Sequence, residues 1–314
     1  FDEFVRRYAA ASSKVVADSR AFVQLRDMRL FLNAAFLVLT LPLVASCRLA
    51  ELQQQPPVTP SQWCELRPCV TLGTTVFNEP LGSFLVFLLA FLWVASGVYF
   101  LKNHDGQSSR KWLGIALTLG GIGAAQAGIS YQAFSYELKC AGKEFCSLTN
   151  AFEVGYSLTQ AVSVSAMLTA VAFACTSGWF RKTLFVYCIL NAAIYVVVTI
   201  LGVTQPNKTL LSFEVLMLFA LPGILLVILV SGIQYARKRK PLDGSLFGAA
   251  VLLVVVNAAY FTYYGAGITA ALYKKGQGFY FSENDVLHVG MILWLVYVVK
   301  VVGKHLRDFD ARSV

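Results

Sequence analysis

Apolar positions fall into eight long continuous runs separated by short polar segments: Leu30 to Cys47, Gly82 to Leu101, Trp112 to Tyr131, Phe152 to Thr176, Thr183 to Val203, Leu210 to Ala236, Ser245 to Leu272 and Glu283 to His305. None alternates with the period of two of a half-exposed strand, and each is close to or above the roughly 20 residues that a helix needs to cross hydrocarbon. Within a bilayer every backbone polar group must be satisfied internally, which leaves helices or a closed barrel, and continuous runs of this length argue against the barrel. The pattern predicts an all-α fold: a polytopic membrane helix bundle of about eight transmembrane helices, one amino-terminal anchor helix plus a seven-helix core. Pro42 interrupts the first run, and Pro222-Gly223 predicts a kink in the sixth. Residues 1–29 read as a cytoplasmic or interfacial segment, 30–305 as the bundle and 306–314 as a cytoplasmic tail. The longest connection, 48–81, contains Gln53-Gln54-Gln55-Pro56-Pro57 and reads as a cap with too few apolar positions for a domain of its own.

Composition agrees. The 314 residues are 57% hydrophobic and 14% charged, with a mean hydropathy of +0.63; soluble domains carry about a quarter of charged residues. The distribution of Lys and Arg then orients the bundle. One set of alternate segments holds most of them, including Arg26 and Arg29, Arg110 and Lys111, Arg181 and Lys182, Arg237 to Lys240, and Lys304 and Arg307. The other set holds only Arg48, Arg67, Lys139, Lys143, Lys208, Lys274 and Lys275. Cytoplasmic loops carry the excess, so both termini are expected inside. The basic stretch before the first run, longer than a usual signal-peptide n-region, reads as part of an uncleaved signal anchor.

Cys64, Cys69, Cys140 and Cys146 all fall in the outer segments, which predicts two disulfides in an oxidising compartment, with three pairings open. Cys47, Cys175 and Cys188 lie in or beside spans and read as small apolar residues. Asn207-Lys208-Thr209 is an outer glycosylation acceptor triplet. These markers favour the secretory pathway or plasma membrane, with a bacterial or mitochondrial inner membrane as alternatives. Arg237, Lys238, Arg239 and Lys240 form a stop-transfer cluster suited to anionic lipid headgroups.

A charge in hydrocarbon costs several kcal/mol unless it is paired, so ionisable residues within spans are the candidate ligand or ion sites. Glu153 begins the fourth span, Glu214 sits one turn into the sixth, and Asp285 and His288 share a face of the eighth. All four fall toward the outer side, where they could meet in one site; as a metal site they would be oxygen-rich. Capping competes as an explanation: Ser282-Glu283-Asn284-Asp285 has the form of a capping box, and acidic residues suit helix N-termini. Phe281-Ser282-Glu283-Asn284-Asp285-Val286-Leu287-His288 resembles the last helix of the seven-helix membrane superfamily that contains alkaline ceramidases and progestin-type receptors. The resemblance implies a final-helix His-x-x-x-His that joins another histidine in holding zinc, whose bound water attacks a lipid amide. Here position 292 is Ile, and the histidines are His104, His288 and His305, with His104 and His305 on the cytoplasmic side. The resemblance covers one helix and lacks the zinc triad.

Softer signals complete the sequence. Gln126, Gln160, Asn191, Asn257 and Tyr260 are expected to hydrogen-bond between helices or line a polar-walled cavity. Ala116, Gly120, Ala124 and Gly128 recur every four residues, which gives the third span a smooth face for close helix packing. No Ser-His-Asp arrangement, phosphate-binding glycine loop or redox CxxC is present, so no catalytic residue, metal or cofactor is expected. The favoured function is a non-catalytic receptor-like or accessory subunit of a membrane complex, with lipid bilayer and other membrane subunits as partners, no nucleic acid, and a lipid or amphipathic ligand in the bundle. A transporter or channel using Glu214 and the Asp285/His288 face is second, and a membrane-embedded lipid hydrolase third.

Overall fold

A computed structural model describes residue 49, residues 52–274 and residues 277–309. The amino-terminal segment, the first apolar run, Cys47 and residues 310–314 lie outside the described residues.

The described chain is mostly helical. Seven helices are each long and apolar enough to cross a membrane, which marks a multi-pass membrane protein. They are α1 (Pro80–Lys102), α2 (Ser108–Ala127), α3 (Ala151–Cys175), α4 (Gly178–Thr204), α5 (Phe213–Lys238), α6 (Pro241–Gly265) and α7 (Glu283–Tyr297). A π-helical turn, Gly128–Ala133, extends α2, and another, Val298–Val302, extends α7. These spans match the second to eighth apolar runs, with one trimmed end: α6 stops at Gly265, and Gly267 at φ 62° turns the chain into a separate short helix, Ile268–Leu272. α5 continues through Pro222.

Six helices pack in a ring, in the order α1, α2, α3, α5, α6, α7 and back to α1, while α4 lies mainly on α3. α3 is the most buried. The core centres on Trp93, Phe100, Leu117 and Trp294; the Trp93 and Trp294 rings stand 5.6 Å apart, and Trp294 Nε1 donates to the Ala249 carbonyl at 2.9 Å. The glycine-alanine stripe of α2 makes this packing possible. Ser163 Oγ of α3 donates to the Ala116 carbonyl at 2.8 Å, a Cβ on Gly120 would meet the Trp93 ring, and one on Gly128 would come within 2.6 Å of Val86. The stripe is therefore an interior seam between α1 and α3.

At one end, the two longest connections build a small cap. β1 (Gln53–Gln55) pairs with β4 (Cys146–Ser147), and β2 (Cys69–Leu72) forms a hairpin with β3 (Thr75–Asn78), all antiparallel. A third ribbon joins β5 (Tyr273–Lys274) to β6 (Gln277–Gly278). Cys64 bonds to Cys69 and Cys140 to Cys146, with Cα separations of 5.6 and 4.2 Å. All four pack with Val76 and Tyr136 in one apolar cluster, which neither connection could form alone. The opposite end is tied by the carboxy-terminal segment. Asp308 accepts from the Ser108 and Ser109 N–H groups at 2.9 and 2.7 Å, supplying a cap that α2 lacks locally.

Candidate functional site

Two polar clusters occupy the disulfide-bearing end. In the first, Asn150 caps α3: its Oδ1 accepts from the Phe152 and Glu153 N–H groups at 2.9 and 3.3 Å. That leaves the Glu153 carboxylate free of capping duty. Its Oε1 lies 2.6 Å from Lys139 Nζ and accepts from Ser130 Oγ at 2.8 Å, while Asn150 Nδ2 donates to Ser130 Oγ at 2.7 Å. Lys139 Nζ also stands 5.2 Å from the Tyr131 ring centroid. Both members of the ion pair are nearly enclosed, with side-chain exposures of 11% and 6%.

Glu153 lines a cavity of about 270 Å³ together with Tyr131, Tyr156 and Tyr195, and Lys208 and Glu214 lie at its exposed edge. Tyr131 and Tyr156 meet edge to face at 6.0 Å, and Tyr195 packs on Phe219 at 5.2 Å. A second cavity of about 320 Å³ in the cap is lined by Gln54, Gln55, Gln62, Trp63, Arg67 and Lys139, and shares the Tyr131 wall. The Lys139–Glu153 pair thus has one partner facing each cavity.

The second cluster lies where α1, α7 and the π-helical turn meet. Ser282 Oγ accepts from Asp285 N at 3.3 Å, and Asp285 Oδ2 accepts from Ser282 N at 2.7 Å, which completes the expected capping box. Asp285 is fully buried, yet its Oδ1 has no hydrogen-bond partner among the described residues; His288 Nδ1, one turn deeper, has none either. Beside them stands Glu79, whose importance sequence reading missed. It precedes Pro80 in a left-handed conformation, φ 46° and ψ 63°, which a side chain adopts at a cost of about 1–3 kcal/mol. Its carboxylate lies 3.5 Å from Arg67 Nη1 and hydrogen-bonds Tyr280. Burial, the largest cause, raises the Glu79 carboxyl from 4.5 to about 7, against the lowering effect of Arg67.

The four predicted acidic and histidine residues therefore do not converge. Glu153 and Glu214 share a cavity, whereas Asp285, one turn before His288 on α7, sits beside Glu79. Glu214 also lies shallower than expected: it is exposed in the first turn of α5, directly after the Ser212 cap. Among the described residues no three His, Cys, Asp or Glu side chains group to hold a metal. His104 accepts from the Gly106 N–H in the connection between α1 and α2, at the end opposite His288. The donor set thus does not fit the zinc that the last-helix resemblance implies.

The amides divide similarly. Gln126 accepts from Thr159 at 3.5 Å, Gln160 donates to the Gly120 carbonyl at 3.3 Å, and Asn191 donates to the Phe219 carbonyl at 3.1 Å, each across a helix pair. Asn257 instead folds back on the Leu253 carbonyl of its own helix, and Tyr260 meets its neighbour Phe261 edge-on. Asn207 is exposed, with its Oδ1 accepting from the Thr209 and Leu210 N–H groups. Of the basic cluster, Arg237, Arg239 and Lys240 are exposed, but Lys238 Nζ sits 4.3 Å from the Phe309 ring centroid. No family model matches the chain, and no curated protein matches it by sequence.

Proposed function

We propose that the protein is a non-catalytic, receptor-like or accessory membrane protein that takes the polar headgroup of an amphipathic ligand in the cavity bounded by Glu153. The enclosed Lys139–Glu153 pair at the wall of a cavity that three tyrosines help to line carries this reading. Ligand sites combine apolar walls with a few fixed polar groups, and three tyrosines with a pinned carboxylate meet that description. About 270 Å³ falls just below the usual ligand-pocket range of roughly 300–1,000 Å³, so the space suits a headgroup and not a whole lipid. The alkyl chain would lie along α4 and α5, whose Ile189, Ile194, Leu218 and Leu225 are exposed.

Charge balance narrows the headgroup. Glu153 is matched by Lys139, and Glu214 at the edge is matched in number by Lys208, which favours a zwitterionic or uncharged polar group over one of net charge. The Lys/Arg skew and the two cysteine pairs support an outward orientation for this end, with both termini cytoplasmic and an anchor helix preceding α1.

The test is mass spectrometry of amphiphiles retained by the full chain purified in mild detergent, together with thermal shifts from lysophosphatidylcholine, lysophosphatidic acid and an alkyl-trimethylammonium. The zwitterion should give the largest shift, and Ser157→Phe, which fills the cavity from α3, should abolish it. No retained amphiphile and no shift from any of the three would end this reading.

A further inference from the structure

The cap cavity of about 320 Å³ is lined by two cations, Arg67 and Lys139, and by no acidic residue. Each cation has its carboxylate elsewhere. Glu79 lies 3.5 Å from Arg67 Nη1 and Glu153 lies 2.6 Å from Lys139 Nζ, and neither acid lines this space. The four charges cancel in sum, yet both positive members border the cavity and both negative members stand outside it. A space bordered in this way attracts an anion.

The Arg67 guanidinium is held in place for such a ligand. Its centre stands 4.4 Å from the Trp63 ring centroid, and Glu79 takes only Nη1. Nε is buried without an acceptor among the described residues, and no hydrogen bond between described residues uses Nη2. The Nε–Nη2 edge, which matches a planar carboxylate in a bidentate pair, is therefore unused. Trp63, which also lines the cavity, has a second buried donor, Nε1, without an acceptor among the described residues. Unmet buried donors cost free energy until an acceptor reaches them.

The rest of the wall sets the kind of acid. Gln54, Gln55 and Gln62 contribute amides, whereas Val58 and Leu66 contribute apolar surface. The volume is at the lower end of the usual range of roughly 300–1,000 Å³, so the occupant is small. A single negative charge is enough, because each cation already has an acid of its own and a second anionic group would find no further cation.

We propose that the cap cavity binds a small organic monocarboxylate, its carboxylate on the free edge of Arg67 and its body among the glutamine amides, Val58 and Leu66. The cap is built from the connections between spans, so the ligand is a water-soluble acid that arrives from the disulfide-bearing side. This site does not rest on the amphiphile reading of the Glu153 cavity, and Gln62 lines only the cap cavity, so the two can fail separately.

The experiment uses the full chain in detergent at pH 7.5, with ionic strength held constant by chloride and melting followed by tryptophan fluorescence. Benzoate and gluconate are each compared with an uncharged counterpart, benzamide and glucose, and with inorganic phosphate. At about ten times its dissociation constant, a bound carboxylate should raise the midpoint by about 3–6 °C and saturate, whereas its counterpart should not. Gln62→Glu keeps the capping box of the short helix Pro60–Cys64, since Glu serves at that position as Gln does, and it adds a negative charge to the cavity wall. It should weaken carboxylate binding by about tenfold or more, and Arg67→Gln should abolish it. Should Arg67→Gln fail to fold, isothermal titration of the unmodified protein and Gln62→Glu with the same pairs of compounds gives the answer. Equal shifts from a carboxylate and its uncharged counterpart, a larger saturable response to phosphate, an undiminished response in Gln62→Glu, or no response to either carboxylate would each overturn the site.

Discussion

Replacing Glu153 by Gln leaves the Lys139 ammonium enclosed without its counter-charge. The two side chains are 11% and 6% exposed and 2.6 Å apart, which places them among pairs whose disruption costs about 3–5 kcal/mol. Gln keeps an acceptor for Ser130 and Lys139, so the expected loss is near the lower bound, about 3 kcal/mol. Lys139→Met should cost a similar amount, because the carboxylate would then lack its cation. Removing both charges together, as Lys139→Met with Glu153→Leu, should return most of the loss, since desolvation of the pair is also relieved. At about 2–4 °C per kcal/mol for chains of some 150–250 residues, each single change should lower the melting midpoint by about 6–12 °C. The double change should lie within about 4 °C of the parent. Fluorescence-monitored melting in detergent reads this cycle directly. Single changes that shift the midpoint by less than about 2 °C, or a double change equal to their sum, would falsify the claim that this pair is desolvated and coupled.

Three further outcomes are expected. Alkylation of denatured, unreduced protein should modify Cys175 and Cys188 but reach Cys64, Cys69, Cys140 and Cys146 only after reduction, as peptide mapping would show. Asp308→Ala removes the acceptor for two N–H groups at the start of α2; it should cost about 1 kcal/mol and speed amide hydrogen exchange near Ser108 and Ser109 without affecting the cap. Because folding raises the Glu79 carboxyl from 4.5 to about 7, its contribution to stability is full below 4.5 and lost as pH rises through 7. The protein should therefore become less stable across that window, and Glu79→Gln should flatten the profile; an equal slope in the variant would assign the dependence to other groups.

Much of the architecture was legible in the order of residues because a bilayer leaves so few ways to satisfy a backbone. Continuous apolar runs located seven of the helices, to within a few residues except at the end of α6, and the four-residue spacing of Ala116, Gly120, Ala124 and Gly128 marked the close-packed face. The capping box at Ser282 and Asp285 depends only on neighbours three apart, and it too could be read locally. The candidate site was harder. Glu153 stood out as an acid near a helix start, but its partner Lys139 looked like one more loop lysine. Glu79, in a connection before a proline, carried no mark of burial in the sequence.

The sequence by itself determined that helices form, where most of them begin and end, and which cysteines share an end of the bundle, since these follow from local periodicity, caps and hydropathy. Only the tertiary structure decided which polar groups meet. Ser130 and Gln132 lie two residues apart on the π-helical turn, yet Ser130 reaches Glu153 whereas Gln132 lies by Glu79 and Asp285. Residues two apart on a helix point to roughly opposite sides, at about 3.6 residues per turn in the α form, and which helix stands on each side depends on long-range packing. The physical reason is the ring of six helices: it brings α3 to one side of that turn and α1 and α7 to the other, dividing four candidate residues between two sites.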